Sequence, residues 1–274
     1  MKFNLKYLLV ALLLHTTGVV SAEQQIGYWE LGAGISYIQS PHYAGSNQSK
    51  NYVVPFPHIV IETEYLSVDR NVLRGHVLST DTFRFDVSFS GSFKVESEDN
   101  ELRRGMPDLD YIIEAGPSLQ WLLSGNFDGK RYVTIEVPVR GAIATDFDEA
   151  KSIGWHAIPT LHWHNEWHND SAWKLDNRLR FFYESQEYND YVYSVDLPYV
   201  TAERPYYQAE KGYGGWEYML GIRYEKGNRA MGFIMNYTNI SQAVFNDSPL
   251  VVEDHNFTLG VYVSWVLAKG RFFQ

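Results

Sequence analysis

Four histidines lie close together in the second half of the chain. They are His156, His162, His164 and His168. Side chains two positions apart leave the same face of an extended strand, so His162 and His164 could approach one metal ion together. No carboxylate accompanies this pair in the sequence at a spacing typical of metal ligands. We therefore expect no metal site, and expect these imidazoles to be polar side chains along one strand face.

Charged residues recur at alternating positions in segments that are otherwise apolar. They are Glu30, Asp86, Glu114, Glu136, Arg140, Asp176, Arg178, Arg180, Glu217 and Arg223. If these faces enclose a lumen, two interpretations are open. The charges form either a constriction that selects small solutes or ion pairs that fill a narrow interior. The candidate lumen or constriction residues are Asp86, Glu114, Glu136, Arg140, Arg178, Arg180, Glu217 and Arg223.

A hydrolase would need a nucleophile held beside a histidine, and the sequence offers only a weak candidate. Ser171 lies near His168, but no third residue completes a triad and no G-x-S-x-G motif is present. The chain contains no cysteine, which excludes thiolate nucleophiles and disulfide bonds. We predict that the chain is not an enzyme and uses no cofactor.

A tyrosine-rich segment covers residues 186–214. Its tyrosines are Tyr188, Tyr191, Tyr193, Tyr199, Tyr206, Tyr207 and Tyr213. Tyrosine offers a large contact area with a hydrogen-bonding tip, so the segment could be a recognition surface. It could equally be a lid that packs on itself over the mouth of a barrel. Both interpretations remain open at this point.

The segments that carry these residues alternate between apolar and polar side chains. In the segment 83–93 (FRFDVSFSGSF), the phenylalanines fall on one face, and Arg84, Asp86 and the serines fall on the other. Successive residues of a strand point to opposite faces, so the segment has an apolar face and a polar face. The same pattern recurs at 29–37, 113–123, 133–143, 157–164, 173–183, 216–224, 231–237 and 257–267.

Alternation predicts an all-β chain but leaves open which face lies outside. A secreted sandwich or a lipocalin-like barrel would show the same period. Aromatic residues at the strand ends and ions on many opposite faces favour apolar faces that contact lipid. The net charge of −10 argues against a nucleic-acid partner. We predict a closed antiparallel up-and-down transmembrane β-barrel whose partner is outer-membrane lipid.

The connections suggest about twelve strands. Short turns such as 125–130 and 225–229 alternate with long loops, as in outer-membrane barrels with short periplasmic turns. Both termini then lie in the periplasm, so the number of strands is even. The region 53–78 holds three strands, which gives twelve in total, or one, which gives ten; we expect twelve.

The first 22 residues have the pattern of a secretory signal. Lys2 and Lys6 precede the apolar run Tyr7–Leu14, and small residues lead to a cleavage site after Ala22. The apolar run is too short to span a membrane as a helix. We expect residues 1–22 to be the signal peptide and 23–274 to be the barrel, exported to the outer membrane of a Gram-negative cell.

Several loops and strand ends resemble those of the MipA/OmpV family of outer-membrane proteins. The matching pieces are SPHYAGSNQ at 40–48, GMPDLDYIIEAGPSLQW at 105–121, the segment 183–215, and NDSPLVVEDHNFTLGVYVSW at 246–265. The resemblance implies a barrel that docks a murein hydrolase and a murein synthase at the cell envelope. Other members are described as porin-like, which implies the alternative of a narrow channel for small polar solutes. An outer-membrane hydrolase is the third hypothesis.

Overall fold

A computed structural model describes residues 25–63, 66–69, 72–127, 129–168 and 172–273. The expected signal peptide, its cleavage site after Ala22, and Ser171 lie outside the described residues. In the described part of the chain, no helix has the length and apolar character needed to cross a membrane.

The described residues form an all-β structure with one short α-helix. Its elements are β1 (Gln25–Pro41), β2 (Ser49–Thr63), β3 (Leu66–Asp69), β4 (Val72–Ser79), β5 (Phe83–Ser92), β6 (Tyr111–Gly125), β7 (Arg131–Thr145), β8 (Ala150–Ala157), β9 (Thr160–His168), β10 (Ala172–Glu184), α1 (Gln186–Tyr193), β11 (Gly212–Lys226), β12 (Arg229–Asn239) and β13 (His255–Phe273). The region 53–78 contributes to three strands, β2, β3 and β4, as expected.

The segments β8 and β9 are two halves of one strand position. Both pair antiparallel with β7 on one side and with β10 on the other. The interruption falls at residues 158–159, where Pro159 has no N–H to donate to a neighbouring strand. Counted together, β8 and β9 bring the described strands to twelve antiparallel positions, and the prediction of twelve is confirmed.

The strands pair with their neighbours in chain order, and the last pairs with the first. The register between β1 and β13 runs from Gln25 opposite Phe273 to Gln39 opposite Leu259. Each described strand therefore has a hydrogen-bonded neighbour on both sides, and the pairing returns to its starting point.

The apolar faces of the strands point outward and the polar faces point inward. On β5, Phe85 is 39% exposed, whereas the adjacent Asp86 is fully buried. On β6, Leu119 is 47% exposed and its neighbour Gln120 only 2%. A barrel that is soluble in water has the opposite arrangement, whereas a membrane barrel presents its apolar face to lipid. The alternation in the sequence predicted the fold class, and the aromatic strand ends and the ions on the opposite faces predicted which face points outward.

This orientation predicts a large cost for a charge on the outer face. Leu119 lies near the middle of β6, opposite Phe85 of β5 and Val137 of β7. We expect Leu119→Arg to lower the free energy of unfolding by about 2–4 kcal/mol, because the guanidinium must enter the hydrocarbon layer. Urea unfolding from lipid vesicles measures this change. Leu197→Arg is the matched control, because Leu197 is 75% exposed and lies outside the strands; an equal loss in both variants would contradict the orientation.

Candidate functional site

The four long connections pack together at one end of the barrel. They are the segments 42–48, 93–110, 185–211 and 240–254, and together they form what we call the lid. The buried apolar residues that the lid shares are Tyr43, Val95, Leu109, Val192, Tyr193, Val195, Ala209, Ile240, Ala243, Phe245 and Leu250. Because these loops bury apolar side chains against one another, the lid is a packed structure with its own core rather than a set of separate loops.

Aromatic stacking and a short β-bridge join the lid segments. Tyr193 at the end of α1 stacks on Phe245, with ring centroids 3.7 Å apart and an angle of 9° between the rings. Val195 and Tyr207 form an isolated antiparallel bridge within the 185–211 segment. Ser185 is the N-cap of α1, and its side chain accepts a hydrogen bond from the Tyr188 backbone N–H.

Two arginines tie the lid segments to one another through backbone carbonyls. Arg103 is almost fully buried and donates to the carbonyl oxygens of Val192 at 2.7 Å and Pro107 at 3.2 Å. Arg204 donates to the carbonyl oxygen of Leu102 at 2.7 Å. Each arginine therefore links the 93–110 segment to the 185–211 segment, and charged donors make such hydrogen bonds strong.

The phenol of Tyr43 lies inside the lid and stays protonated there. Burial raises the pKa of Tyr43 to about 12, because the phenolate form would lose its hydration. The protonated hydroxyl donates to the Leu250 carbonyl oxygen at 2.9 Å.

Most contacts of the tyrosine-rich segment lie within the lid. They favour the interpretation of this segment as a self-packed lid over that of a recognition surface. Tyr193 is buried, and Tyr191 and Tyr207 pack against the lid core. Tyr188 reaches past the lid, and its hydroxyl lies 3.3 Å from the Glu114 carboxylate on the barrel wall. Tyr206 is the exception, since about half of its surface is exposed.

A cavity of about 670 Å³ lies between the lid and the barrel wall. We call it the upper cavity, and the half of the barrel next to the lid the upper half. Charged side chains from several strands line it together with lid residues. They include Glu114, Arg140, His156, Arg178, Arg180 and Glu217. The cavity is large enough for a small molecule, and its lining offers both signs of charge.

The predicted lumen charges in this upper half of the barrel interact with one another. The Glu114 carboxylate lies 3.0 Å from His156 Nε2 and 3.8 Å from the Arg140 guanidinium. Arg140 also donates to the Ser88 hydroxyl at 3.0 Å. The Arg180 guanidinium donates to Glu217 at 2.7 Å. The structure thus brings Glu114, Arg140, Arg180 and Glu217 into neighbouring ion pairs on the inner wall.

The remaining predicted charges also lie on the inner face. Gln120 donates to the buried carboxylate of Asp86. Arg178 lines the upper cavity and a second, smaller one, and Arg223 pairs with Glu225 near the turn end of the barrel. The inward positions of these charges agree with the alternation of apolar and polar residues in the sequence. A selective constriction formed by them stays a prediction.

Two of the four clustered histidines meet a carboxylate that their spacing in the sequence did not reveal. Asp176 of β10 lies opposite His164 of β9 in the strand register. One oxygen, Asp176 Oδ1, is 3.0 Å from His162 Nε2 and 2.9 Å from His164 Nδ1. His156 instead joins the Glu114 cluster. Asp176 is one of the charges that alternate with apolar residues in the sequence. The antiparallel pairing of β9 with β10 is the signal that could have placed it beside the histidines.

Similar solved structures include a porin and a channel. The NanC porin is 10% identical with a TM-score of 0.41, and the match covers 86% of this chain and 100% of that one. The CymD monoaromatic hydrocarbon channel is 11% identical with a TM-score of 0.36, covering 92% of this chain and 90% of that one. No curated protein gives a significant match to the sequence.

The family comparison extends over most of the chain. Residues 31–267 match the family described as MltA-interacting protein MipA. This match confirms the resemblance that the loop and strand-end segments indicated. The chain belongs to the MltA-interacting protein MipA family and is a β-barrel protein of the outer-membrane type.

Proposed function

We propose that this protein is a structural barrel of the outer membrane that docks murein-processing enzymes at its periplasmic rim. The proposed partners are a murein hydrolase and, through the same assembly, a murein synthase. The family description names an interaction with MltA, which supports a protein partner. In this proposal the barrel has no catalytic role and needs no cofactor.

The lid is the observation that carries this proposal. It packs four loops over the upper cavity around a shared apolar core, and Arg103 and Arg204 join two of these loops to each other. An open pore would need these contacts to separate, whereas a docking protein needs only a rigid barrel and an exposed rim. The packing therefore favours a structural role over a constitutively open channel.

The rim opposite the lid offers exposed turns for docking. The turn between β11 and β12 presents Lys226 and Arg229, whose side chains are exposed. The turn between β6 and β7 presents Asn126 and Lys130, which are exposed as well. In this proposal both chain ends lie in the periplasm, so these turns face the murein layer. We therefore expect a soluble periplasmic enzyme to contact them.

Surface plasmon resonance with immobilised mature barrel tests the docking. We expect a purified, soluble murein hydrolase to bind the wild type, and expect the double variant Lys226→Ser/Arg229→Ser to bind more weakly. Leu197→Ser on the lid is the matched control and should bind like the wild type. Binding no stronger than to an unrelated barrel would overturn the proposal. An equal loss in the lid variant would overturn the assignment to the periplasmic rim.

The alternative is a narrow channel, and the upper cavity is the observation that favours it. Its volume of about 670 Å³ and its lining by Glu114, Arg140, Arg180 and Glu217 suit a small polar solute. Passage would require the lid to open. Steady ion conductance of the wild type in a planar bilayer would favour this alternative over docking.

A further inference from the structure

We propose that His162, His164 and Asp176 bind one divalent first-row transition metal ion on the inner wall of the barrel. None of these three residues belongs to the lid or to the exposed turns, so the inference stands independently of the docking proposal. It also revises the expectation from the sequence that the histidines are only polar lining.

The three side chains converge at metal-ligand distances. One ligand atom from each of them lies within 4.8 Å of the other two. His162 and His164 project from β9, and Asp176 projects from the adjacent β10. Because all three residues sit on paired strands, the backbone ladder fixes their spacing. Two imidazoles and one carboxylate are a donor set that zinc, nickel, copper and iron sites use.

A second carboxylate orients His162 for this role. The Glu136 Oε1 atom lies 3.1 Å from His162 Nδ1, while Asp176 Oδ1 lies 3.0 Å from His162 Nε2. A neutral imidazole has one N–H, so it can donate to only one of two carboxylates. With Nδ1–H donating to Glu136, the Nε2 lone pair is free for a metal ion. This is the carboxylate–histidine–metal arrangement that holds metal ligands in place.

An aromatic ring also holds both histidines. The Tyr132 ring stacks on His164 with centroids 5.0 Å apart and an angle of 20°. The same ring meets His162 edge-on, with centroids 5.4 Å apart. Preorganised imidazoles lose less rotational freedom when they bind an ion, so this packing favours binding.

The site has space for further ligands and a balanced electrostatic environment. A cavity of about 150 Å³ lies against His164 and Asp176, so water could complete the coordination shell. Three cations, Lys174, Arg178 and Arg223, line the same cavity, and Arg223 pairs with Glu225. The Lys174 ammonium lies 3.4 Å from Glu225 and 4.0 Å from Glu166, so nearby carboxylates offset its charge.

Isothermal titration calorimetry with Zn²⁺ tests the site in the untagged mature barrel folded in detergent. We expect one Zn²⁺ per chain in addition to any weak surface binding, and no comparable binding of Mg²⁺, which prefers oxygen ligands. His164→Ala and Asp176→Asn should each abolish the tight step. Glu136→Gln should weaken binding by roughly 10–100-fold, as expected for the loss of an orienting carboxylate. His255→Ala, at a histidine outside the cluster that contacts Tyr237, should bind like the wild type.

A spectroscopic measurement keeps the test valid if a variant does not fold. Co²⁺ added to the wild type should give visible absorption bands of a nitrogen-coordinated site, and Zn²⁺ should displace them. Equal Zn²⁺ binding by the wild type and by a folded His164→Ala/Asp176→Asn double variant would overturn the proposal. A wild type that shows neither a tight Zn²⁺ step nor these Co²⁺ bands would overturn it as well.

Discussion

Arg103→Ala should release the lid while leaving the barrel strands folded. The Arg103 guanidinium contacts the Val192 and Pro107 carbonyl oxygens and the Ser97 hydroxyl, all inside the lid. Removing it leaves buried acceptors without their charged donor, at a cost of roughly 3 kcal/mol. Local opening should then become about a hundredfold more frequent, since each 1.4 kcal/mol corresponds to a factor of about ten.

Hydrogen–deuterium exchange measures this opening directly. We expect the amides of the lid segments 93–110 and 185–211 to exchange faster in Arg103→Ala, with the strand amides unchanged. Arg104→Ala is a matched control at the adjacent position. The Arg104 side chain is largely exposed, and its ion pair with the exposed Glu98 is long, at 3.9 Å. Unchanged lid exchange in Arg103→Ala, or equal acceleration in both variants, would contradict the role of Arg103 as one of the two arginines that link these segments.

Glu114→Ala should destabilise the whole barrel. Glu114 is buried on β6 and accepts from His156 and Tyr188, with the Arg140 guanidinium 3.8 Å away. Truncating it removes the buried carboxylate that contacts His156, Tyr188 and Arg140 on the inner wall. Breaking a buried pair in this way costs about 3–5 kcal/mol. The loss should appear in urea unfolding of the vesicle-bound barrel.

An exposed ion pair provides the comparison for Glu114. Lys50 and Asp99 lie 2.8 Å apart, but roughly half of the Asp99 side chain is exposed. Exposed pairs contribute little because water solvates both partners. We expect Asp99→Ala to leave the unfolding transition unchanged. If Glu114→Ala behaves like Asp99→Ala, the inner cluster does not hold the barrel wall and lid helix together.

The faces of the strands could be predicted from the sequence because a strand has a period of two residues. Once Phe85 and Leu119 were assigned to lipid, Asp86 and Gln120 had to point inward, as they do. The alternation of short and long connections predicted an even number of strands, which left ten or twelve, and we expected twelve. The alternation within a strand and the length of a connection both depend only on residues near one another in the chain.

The features that sequence reasoning missed depend on contacts between distant segments. The lid core joins Tyr43, Tyr193 and Phe245, which are separated by long stretches of chain. Asp176 comes to the histidines through the register of β9 with β10, which local spacing does not give. The two-residue period of a strand assigns each side chain to the inner or the outer face. Only the pairing between strands decides which inward side chains meet.

Planar-bilayer recording of the wild-type mature barrel shows whether the packed lid closes the lumen of a lipid-facing barrel. We predict that insertion of the folded protein produces no sustained ion conductance, and that Arg103→Ala shows brief openings on the same background. A steady, ohmic open-pore current from the wild type would contradict the account.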